Sequence, residues 1–359
     1  MQSAAAPKRP LGTGADVFEQ ALAQGFGDVH FKVDSTTGLA AIIAIHNTQL
    51  GPALGGCRCI PYRSAEAALF DAMRLARGMT YKAAISGLAS GGGKAVLIRP
   101  PEINDREAYF ESFGRFVDQL GGRYITAVDS GTSVSDMDII ARCTKHVACT
   151  SESRAGTGDP SPHTAVGVRR GIEAAVKFRL NKDDLDGVHV AIQGVGHVGY
   201  SLARDLAGRG AKLTVSDMNQ RATQRCADEF GAVVAAPERI YDIPSDVFAP
   251  CALGAIINDD TLPRLNTRIV AGAANNQLAE VRHGDELHKR GIVYAPDYLV
   301  NAGGIIQIII EDESEINEKI LNIYNTLASI LERSAATNTA PHRVADIMVD
   351  AMLSGQRSS

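Results

Sequence analysis

The chain has 359 residues, more than one hydrophobic core usually organises, so two domains are expected. Apolar residues make up 45% and charged residues 21%, the balance of a soluble globular protein, and no window reaches the roughly 20 unbroken apolar residues of a membrane span. A net charge of −5 gives no reason to expect nucleic acid or an anionic membrane as a partner. The start, Met1 to Thr13, is rich in Ala, Pro and Gly with two basic residues and lacks the apolar stretch of a signal peptide. Residues 1–14 therefore read as a disordered tail. Cys57, Cys59, Cys143, Cys149, Cys226 and Cys251 are scattered without metal-type pairing. They read as reduced thiols of a cytoplasmic protein, with no metal site.

The elements alternate from the start. Val29, Phe31 and Val33 fall on one face of a strand, and Leu39, Ala41, Ile43 and Ile45 fit a second strand after a Thr37-Gly38 turn. Ser64 can cap a helix reaching about Gly78. Another helix follows Asp105, with Tyr109, Phe113, Phe116, Val117 and Leu120 at helical spacing and Gly121-Gly122 ending it. Tyr124 to Val128 reads as a buried strand that delivers Asp129 at its C-terminal end. Asp159-Pro160-Ser161-Pro162 interrupts the pattern and suggests the hinge between domains. Thr164 to Phe178 is helical. Five short apolar runs then alternate with helical or loop segments: 188–192, 213–216, 247–249, 269–271 and 292–295. That rhythm predicts a doubly wound parallel sheet. Ile316 to about Leu353 is helical, with 331–359 expected to return toward the first domain. The expected fold is thus α/β in two domains with a cleft between, spanning 15–150 and 151–330.

Two motifs carry chemistry. Gly194-Val195-Gly196-His197-Val198-Gly199 follows a strand, opens a helix and precedes a second strand ending in Asp217. Glycines allow a tight turn, close approach of a pyrophosphate and close helix packing, while the helix N-terminus favours phosphate charge. Asp217, 18 residues after Gly199, suits the ribose hydroxyls and repels a 2′-phosphate, which favours NAD over NADP. The second motif is Lys82 with Gly91-Gly92-Gly93-Lys94. Three glycines before a lysine suggest a turn that lets backbone approach a ligand, with the ammonium at its end. Apolar flanks imply desolvated lysines, one of them suited to act as a general base. Competing readings stand beside these: Lys82 as a solvated helix residue, Lys94 on a surface turn, and Asp129 as a cap for a helix over 133–140.

Ordered stretches then resemble the glutamate/leucine/phenylalanine/valine dehydrogenase superfamily, most nearly its leucine branch. They are Leu50-Gly-Pro-Ala-Leu-Gly-Gly56, Gly78-Met-Thr-Tyr-Lys82, Gly91-Gly-Gly-Lys94, Tyr124-Ile-Thr-Ala127, Ala249-Pro-Cys-Ala-Leu-Gly254, Ala271-Gly-Ala-Ala-Asn-Asn-Gln277, Tyr294-Ala-Pro-Asp-Tyr298 and Asn301-Ala-Gly-Gly304. The resemblance implies reversible NAD-dependent oxidative deamination of an L-amino acid to a 2-oxo acid and ammonia. It implies that Lys82, helped by backbone at Gly55 and Gly56, binds the substrate carboxylate. Lys94 would activate water, Asp129 would exchange a proton with the amino group, and Asn275 would help hold the nicotinamide. It also implies a homo-oligomer built from dimers. Glutamate dehydrogenases carry a lysine where this chain has Leu54, so an apolar substrate side chain is expected. Ala127, Ile305 and Ile308 would line its pocket, although core packing is an equally available role for the two isoleucines. The bulk of those isoleucines favours leucine, isoleucine or valine. The alternatives are a phenylalanine or other aromatic amino-acid dehydrogenase, and a non-catalytic sensor of NAD or amino acids. Val128, Asp159, Cys57 and Cys59 depart from the family pattern.

Overall fold

A computed structural model describes residues 17–152, 159–252 and 254–355; the tail expected over 1–14 lies outside them. The chain divides into two compact units. One comprises residues up to 80 together with 91–147, and the other comprises 81–90 together with 148 onward.

The first unit is built on a five-stranded mixed sheet in the order β1-β2-β4-β3-β5. Its strands are β1 (Asp28–Asp34), β2 (Leu39–Asn47), β3 (Ala53–Ile60), β4 (Gly91–Ile98) and β5 (Tyr124–Val128). β1 and β2 form an antiparallel hairpin, with Gly38 at φ +75° between them. β3 runs parallel to both β4 and β5, so its flanking strands deliver their C-terminal ends to one edge of the sheet. Phe31 and Val33 lie 62% and 77% exposed on the edge strand β1.

Helix α1 spans Val17–Gln24 and α2 spans Ala65–Ile85. Ser64 Oγ accepts the Ala67 amide, as an N-cap should, but α2 runs well past Gly78 and carries Lys82 in its last turn. Its small residues Ala68, Ala72 and Ala76 pack on Ile42, Ala44 and Val96 of the sheet. Helix α3 (Arg106–Asp118) is capped by Asp105, and its Phe110, Phe113 and Val117 are buried. Helix α4 (Val134–Ala141) begins with a reciprocal box of Ser133 and Asp136.

The triple glycine forms no turn. Gly91, Gly92 and Gly93 open strand β4 and are buried, because neighbouring chain occupies the space each side chain would need. A Cβ on Gly92 would sit 2.1 Å from the Thr80 amide of α2, and one on Gly91 would sit 2.0 Å from the Asn47 carbonyl oxygen. These glycines serve close packing, of Gly92 against α2, of Gly91 against the chain at Asn47 and of Gly93 against the Tyr124 ring, rather than approach to a ligand.

In the second unit α5 (Ser161–Leu180) precedes a six-stranded all-parallel sheet. Its strands are β6 (His189–Gln193), β7 (Lys212–Ser216), β8 (Val233–Val234), β9 (Val247–Pro250), β10 (Ile269–Val270) and β11 (Val293–Tyr294). The order β8-β7-β6-β9-β10-β11 is the doubly wound dinucleotide-binding arrangement, with its switch point between β6 and β9. All five strands expected here form; β8, two exposed residues long, is the addition. The helices are α6 (His197–Ala207), α7 (Gln220–Phe230), α8 (Val281–Lys289), α9 (Asp297–Val300), α10 (Gly303–Ile309), α11 (Glu313–Thr337) and α12 (Pro341–Leu353).

The proline run does not mark the division between units, which falls at 147/148. Pro160 is the N-cap of α5, and Pro162 sits in its first turn, where a missing amide hydrogen costs nothing. No break occurs at 331 either. Helix α11 passes through it and ends at Asn338 in the left-handed conformation, φ 50°. Helix α12 belongs to the second unit. There Asp350 accepts from Tyr81 at 2.5 Å, and Asp346 accepts from Tyr298 at 2.8 Å.

Candidate functional site

Strand alternation sets the first part of the site. Leu54 and Gly56 of β3 share a face, and the register aligns Leu54 with Gly92 and Ile125, and Gly56 with Ala127. Lys94, one residue before the Ala95 that pairs with Cys57, stands on that face beside Gly56. Lys94 is only 6% exposed, and its Nζ donates to Asp129 Oδ2. Gly56 leaves the room for this contact: a Cβ there would lie 2.7 Å from Asp129 Cβ and 3.2 Å from Lys94 Nζ. Gly55 faces the other way, where a Cβ would collide with the Gly93 carbonyl at 1.7 Å. Leu54 and Ala127 are both 4% exposed. An unpaired carboxylate brought to that apolar surface would lose its hydration without compensation.

Asp129 does not cap α4, since Ser133 has that task. Its Oδ1 accepts the Ser130 amide at 2.7 Å, and Oδ2 faces two cations, Lys94 and the Arg58 Nε at 3.4 Å. Burial pushes the carboxyl group up, but Lys94 and Arg58 outweigh it and hold it at about 2. Arg58 is the residue that sequence reasoning missed. The signal was available, because residue 58 follows Gly56 by two and so projects to the same face. Cys57 and Cys59 point to the opposite face as buried thiols, pushed up first by desolvation.

The second part lies at the switch point of the parallel sheet. Gly194, at φ +90°, turns the chain after β6, and a Cβ on it would strike Ala252 at 2.7 Å. Gly199 lets α6 press against the turn, where a Cβ would be 2.0 Å from the Gly194 carbonyl oxygen. Gly196 is exposed at the N-terminus of α6 and has nothing within 4 Å of a would-be Cβ. The helix start therefore presents open space and free-facing amides, which fits a pyrophosphate. Asp217 follows β7, partly exposed, and both of its oxygens are oriented by backbone: Val195 N donates to Oδ2 and Asn219 N to Oδ1, each at 2.8 Å. The remaining lone pairs are available for ribose hydroxyls. Asp159, a departure from the family pattern, caps Ser161 and lies 3.4 Å from His197 Nδ1 in α6.

Lys82 and Asn275 meet in the same unit. Asn275 Oδ1 accepts from Lys82 Nζ at 3.0 Å and from Asn301 Nδ2 at 2.8 Å. Asn301, which sequence reasoning quoted without a role, also donates to the Ala273 carbonyl and so fixes the Asn275 loop. Asp297 is buried nearby; desolvation pushes its carboxyl group up, and the Gln277 amide and then Lys82 offset only part of that rise. Ile305 is buried on α10, and Ile308 is half-buried one turn on.

Among the described residues one cluster has metal-ligand composition: Asp259, Glu280 and His283. Its donors are already committed. The Glu280 amide donates to His283 Nδ1 at 3.0 Å, so Nε2 carries the proton and faces Asp259 at 3.2 Å. Arg282 bonds both carboxylates. The ring has no lone pair left for a cation, and the group acts as a helix cap.

Two sequence families account for most of the chain. Residues 25–146 match "Glu/Leu/Phe/Val dehydrogenase, dimerisation domain", and residues 219–338 match "Glutamate/Leucine/Phenylalanine/Valine dehydrogenase". A leucine dehydrogenase from Bacillus cereus is 47% identical over 348 residues, covering 96% of this chain and 95% of the relative. A phenylalanine dehydrogenase from Bacillus thermotolerans is 45% identical over 298 residues, covering 82% and 78%. The crystal structure of L-tryptophan dehydrogenase from Nostoc punctiforme superposes with a TM-score of 0.82 at 41% identity, covering 94% of this chain and 99% of the other. With both domain families matched in order and near-half identity along almost its whole length, the chain belongs to the glutamate/leucine/phenylalanine/valine dehydrogenases, nearest in kind to the leucine enzymes.

Proposed function

We propose that this amino-acid dehydrogenase catalyses the reversible, NAD-dependent oxidative deamination of leucine, isoleucine or valine to the 2-oxo acid and ammonia. The observation that carries the proposal is the Lys94–Asp129 pair, buried at the lysine and partly open at the aspartate, set over Gly56 on the face that also bears Leu54. A nicotinamide cofactor supplies the hydride acceptor, and NAD is its form here because Asp217 would repel a 2′-phosphate. Gly194, Gly196, Gly199 and Asp217 would hold it, and Asn275 would help hold its nicotinamide.

The chain's own groups do the rest. Lys82, with backbone at Gly55 and Gly56, takes the substrate carboxylate. Asp129 receives a proton from the amino group, so that nitrogen can share its lone pair as hydride leaves the α-carbon. Lys94, once neutral, removes a proton from the water that attacks the resulting iminium carbon; Asp129 returns its proton to the nitrogen of the carbinolamine so formed, and as the C–N bond breaks and the hydroxyl gives up its proton, ammonia and the 2-oxo acid depart. Leu54, Ala127, Ile305 and Ile308 take the side chain.

The protein works in the cytoplasm as a homo-oligomer built from dimers. The match to a dimerisation domain and the exposed Phe31 and Val33 on β1 support the assembly. Among the described residues no helix is long and apolar enough to cross a membrane. An aromatic amino acid is the second reading, favoured by the 45% identity to a phenylalanine dehydrogenase. Initial rates of NADH formation with leucine, isoleucine, valine, phenylalanine, tryptophan and glutamate test the proposal. The expected order puts a branched-chain amino acid first and glutamate last. A chain that reduces NAD with none of them is no dehydrogenase of this class.

A further inference from the structure

Arg58 occupies a position that the reaction scheme leaves without a task. It stands on β3 two residues beyond Gly56, on the same sheet face as Lys94. Its Nη1 donates to Asp71 Oδ2 on α2 at 2.9 Å. That carboxylate is itself fixed, by Tyr62 Oη at 2.7 Å on Oδ2 and by Arg74 Nη2 at 3.0 Å on Oδ1. The other edge of the guanidinium points at the proposed reacting pair, with Nε 3.4 Å from the Asp129 oxygen that Lys94 already holds. This Nε is buried and has no hydrogen-bond partner among the described residues. A buried N–H left unmade is expensive unless a partner arrives at some stage.

The chemistry supplies that stage. Lys94 must be neutral to take a proton from water and Asp129 must be ionised to receive the amino proton, so in the state that starts the reaction Asp129 would be a largely enclosed carboxylate without its lysine counter-ion. A guanidinium does not titrate in the working range, and Asp129 and Asp71 both favour its charged form. We infer that Arg58 is a positioning residue: anchored by Asp71, it keeps Asp129 ionised and in place while Lys94 gives up its proton, its Nε–H taking over the vacated oxygen. The groups facing Asp129 are Lys94 from β4, Arg58 from β3 and the Ser130 amide, while the Cys57 thiol, close enough to feel its charge, lies on the opposite face of β3. Lys94 and Arg58 alone are cationic.

The inference rests on the roles proposed for Lys94 and Asp129, and the test separates the two. Amino-acid-dependent NADH formation by wild type, and its loss in Lys94→Ala, secure those roles first; if either fails, the inference falls with them. The pH profile of kcat is then compared for wild type, Arg58→Gln, Arg58→Lys and Asp71→Asn. With Arg58 neutralised, the coupled pair holds its protons more tightly, so the acid limb should move up by about one pH unit. At neutral pH kcat should fall roughly tenfold or more, with KM for the amino acid changed far less. Arg58→Lys should restore the limb in part, because an ammonium keeps the charge but cannot bridge both carboxylates. Asp71→Asn should move the limb the same way by a smaller amount, and it carries the test alone if Arg58→Gln does not fold. An unmoved limb in Asp71→Asn and in every folded Arg58 variant, whatever the fall in rate, would overturn the inference and leave Arg58 a packing residue.

Discussion

Asp129 shows how one atom can tie stability to chemistry. Its carboxyl group is held at about 2 against an ordinary 3.8, because two cations outweigh its burial. A depressed acid stabilises the fold fully above its unfolded value, and this contribution is lost as pH falls through the folded one. The loss should therefore occur between about pH 4 and pH 2 and amount to on the order of 2 kcal/mol. Asp129→Asn should flatten that part of the pH–stability curve in urea titrations; a curve parallel to wild type would contradict the assignment. The lysines separate by kinetics. Lys94→Ala should abolish turnover while amino-acid binding remains measurable, whereas Lys82→Ala should mainly weaken binding, by roughly 1.5–3 kcal/mol for one charge-assisted bond. Loss of KM alone in both variants would remove Lys94 from the proton transfer. Asp217 should favour NAD over NADP by about a hundredfold or more in kcat/KM, because two like charges a few ångströms apart repel by several kcal/mol even when partly solvated. Comparable values with the two cofactors would contradict it. These residues were legible because each stands in a short motif whose spacing survives without a structure. Arg58 was not, because its meaning comes from Asp71 on a different element and from the strand face it shares with Gly56.

Glycine-rich segments with similar composition have taken different structural parts in the two units. Gly194, Gly196 and Gly199 form the expected turn, since a strand before them and a helix after them leave the chain no other geometry. Gly91, Gly92 and Gly93 continue a strand, because parallel pairing with β3 and the approach of α2 override the local freedom of glycine. Sequence pattern registers the freedom and cannot register the neighbour that uses it. The same blindness let the proline run read as a hinge when it starts α5, and it set the end of α2 at Gly78, whose would-be Cβ in fact meets nothing within 4 Å. Alanine scanning makes the contrast measurable. Gly92→Ala puts a Cβ 2.1 Å from the Thr80 amide and 2.6 Å from the Ala76 carbonyl oxygen, so α2 must back away from the sheet. The expected destabilisation is about 1–3 kcal/mol, seen as a lower Tm. Gly196→Ala meets nothing and sits at an ordinary φ of −67°, so Tm should hold. The added methyl group would instead crowd the pyrophosphate, and KM for NAD should rise. A Tm change of similar size in both variants would show that these two sites do not differ as described.

At the scale of the whole molecule the question is which side chain the enzyme accepts, and each unit offers its own candidate residues for the proposed pocket. Leu54 and Ala127 offer an apolar surface on the first sheet, both all but inaccessible and on the side of the sheet that carries the Lys94–Asp129 pair. A glutamate side chain would lose its hydration there, and the nearby cations Lys94 and Arg58 already face Asp129, so glutamate should be a negligible substrate. On the second unit Ile305 is buried while Ile308 keeps part of its surface open, which makes Ile308 the more available for substrate contact. One methylene in an apolar pocket changes discrimination by about 1–3 kcal/mol. Ile308→Val and Ile308→Ala should therefore raise kcat/KM for phenylalanine relative to leucine progressively, with the alanine variant further along. Ile305→Val, made in a core position, should cost about 0.5–1.5 kcal/mol of stability with a smaller change in that ratio. The measurement is the ratio of kcat/KM for the two amino acids across the three variants, with Tm recorded for each. If wild type already prefers phenylalanine to every branched-chain amino acid, the aromatic reading replaces the first one. If the ratio responds to Ile305 and not to Ile308, the substrate side chain meets α10 on its buried face, and the pocket is built around the residue that the sequence left equally open to core packing.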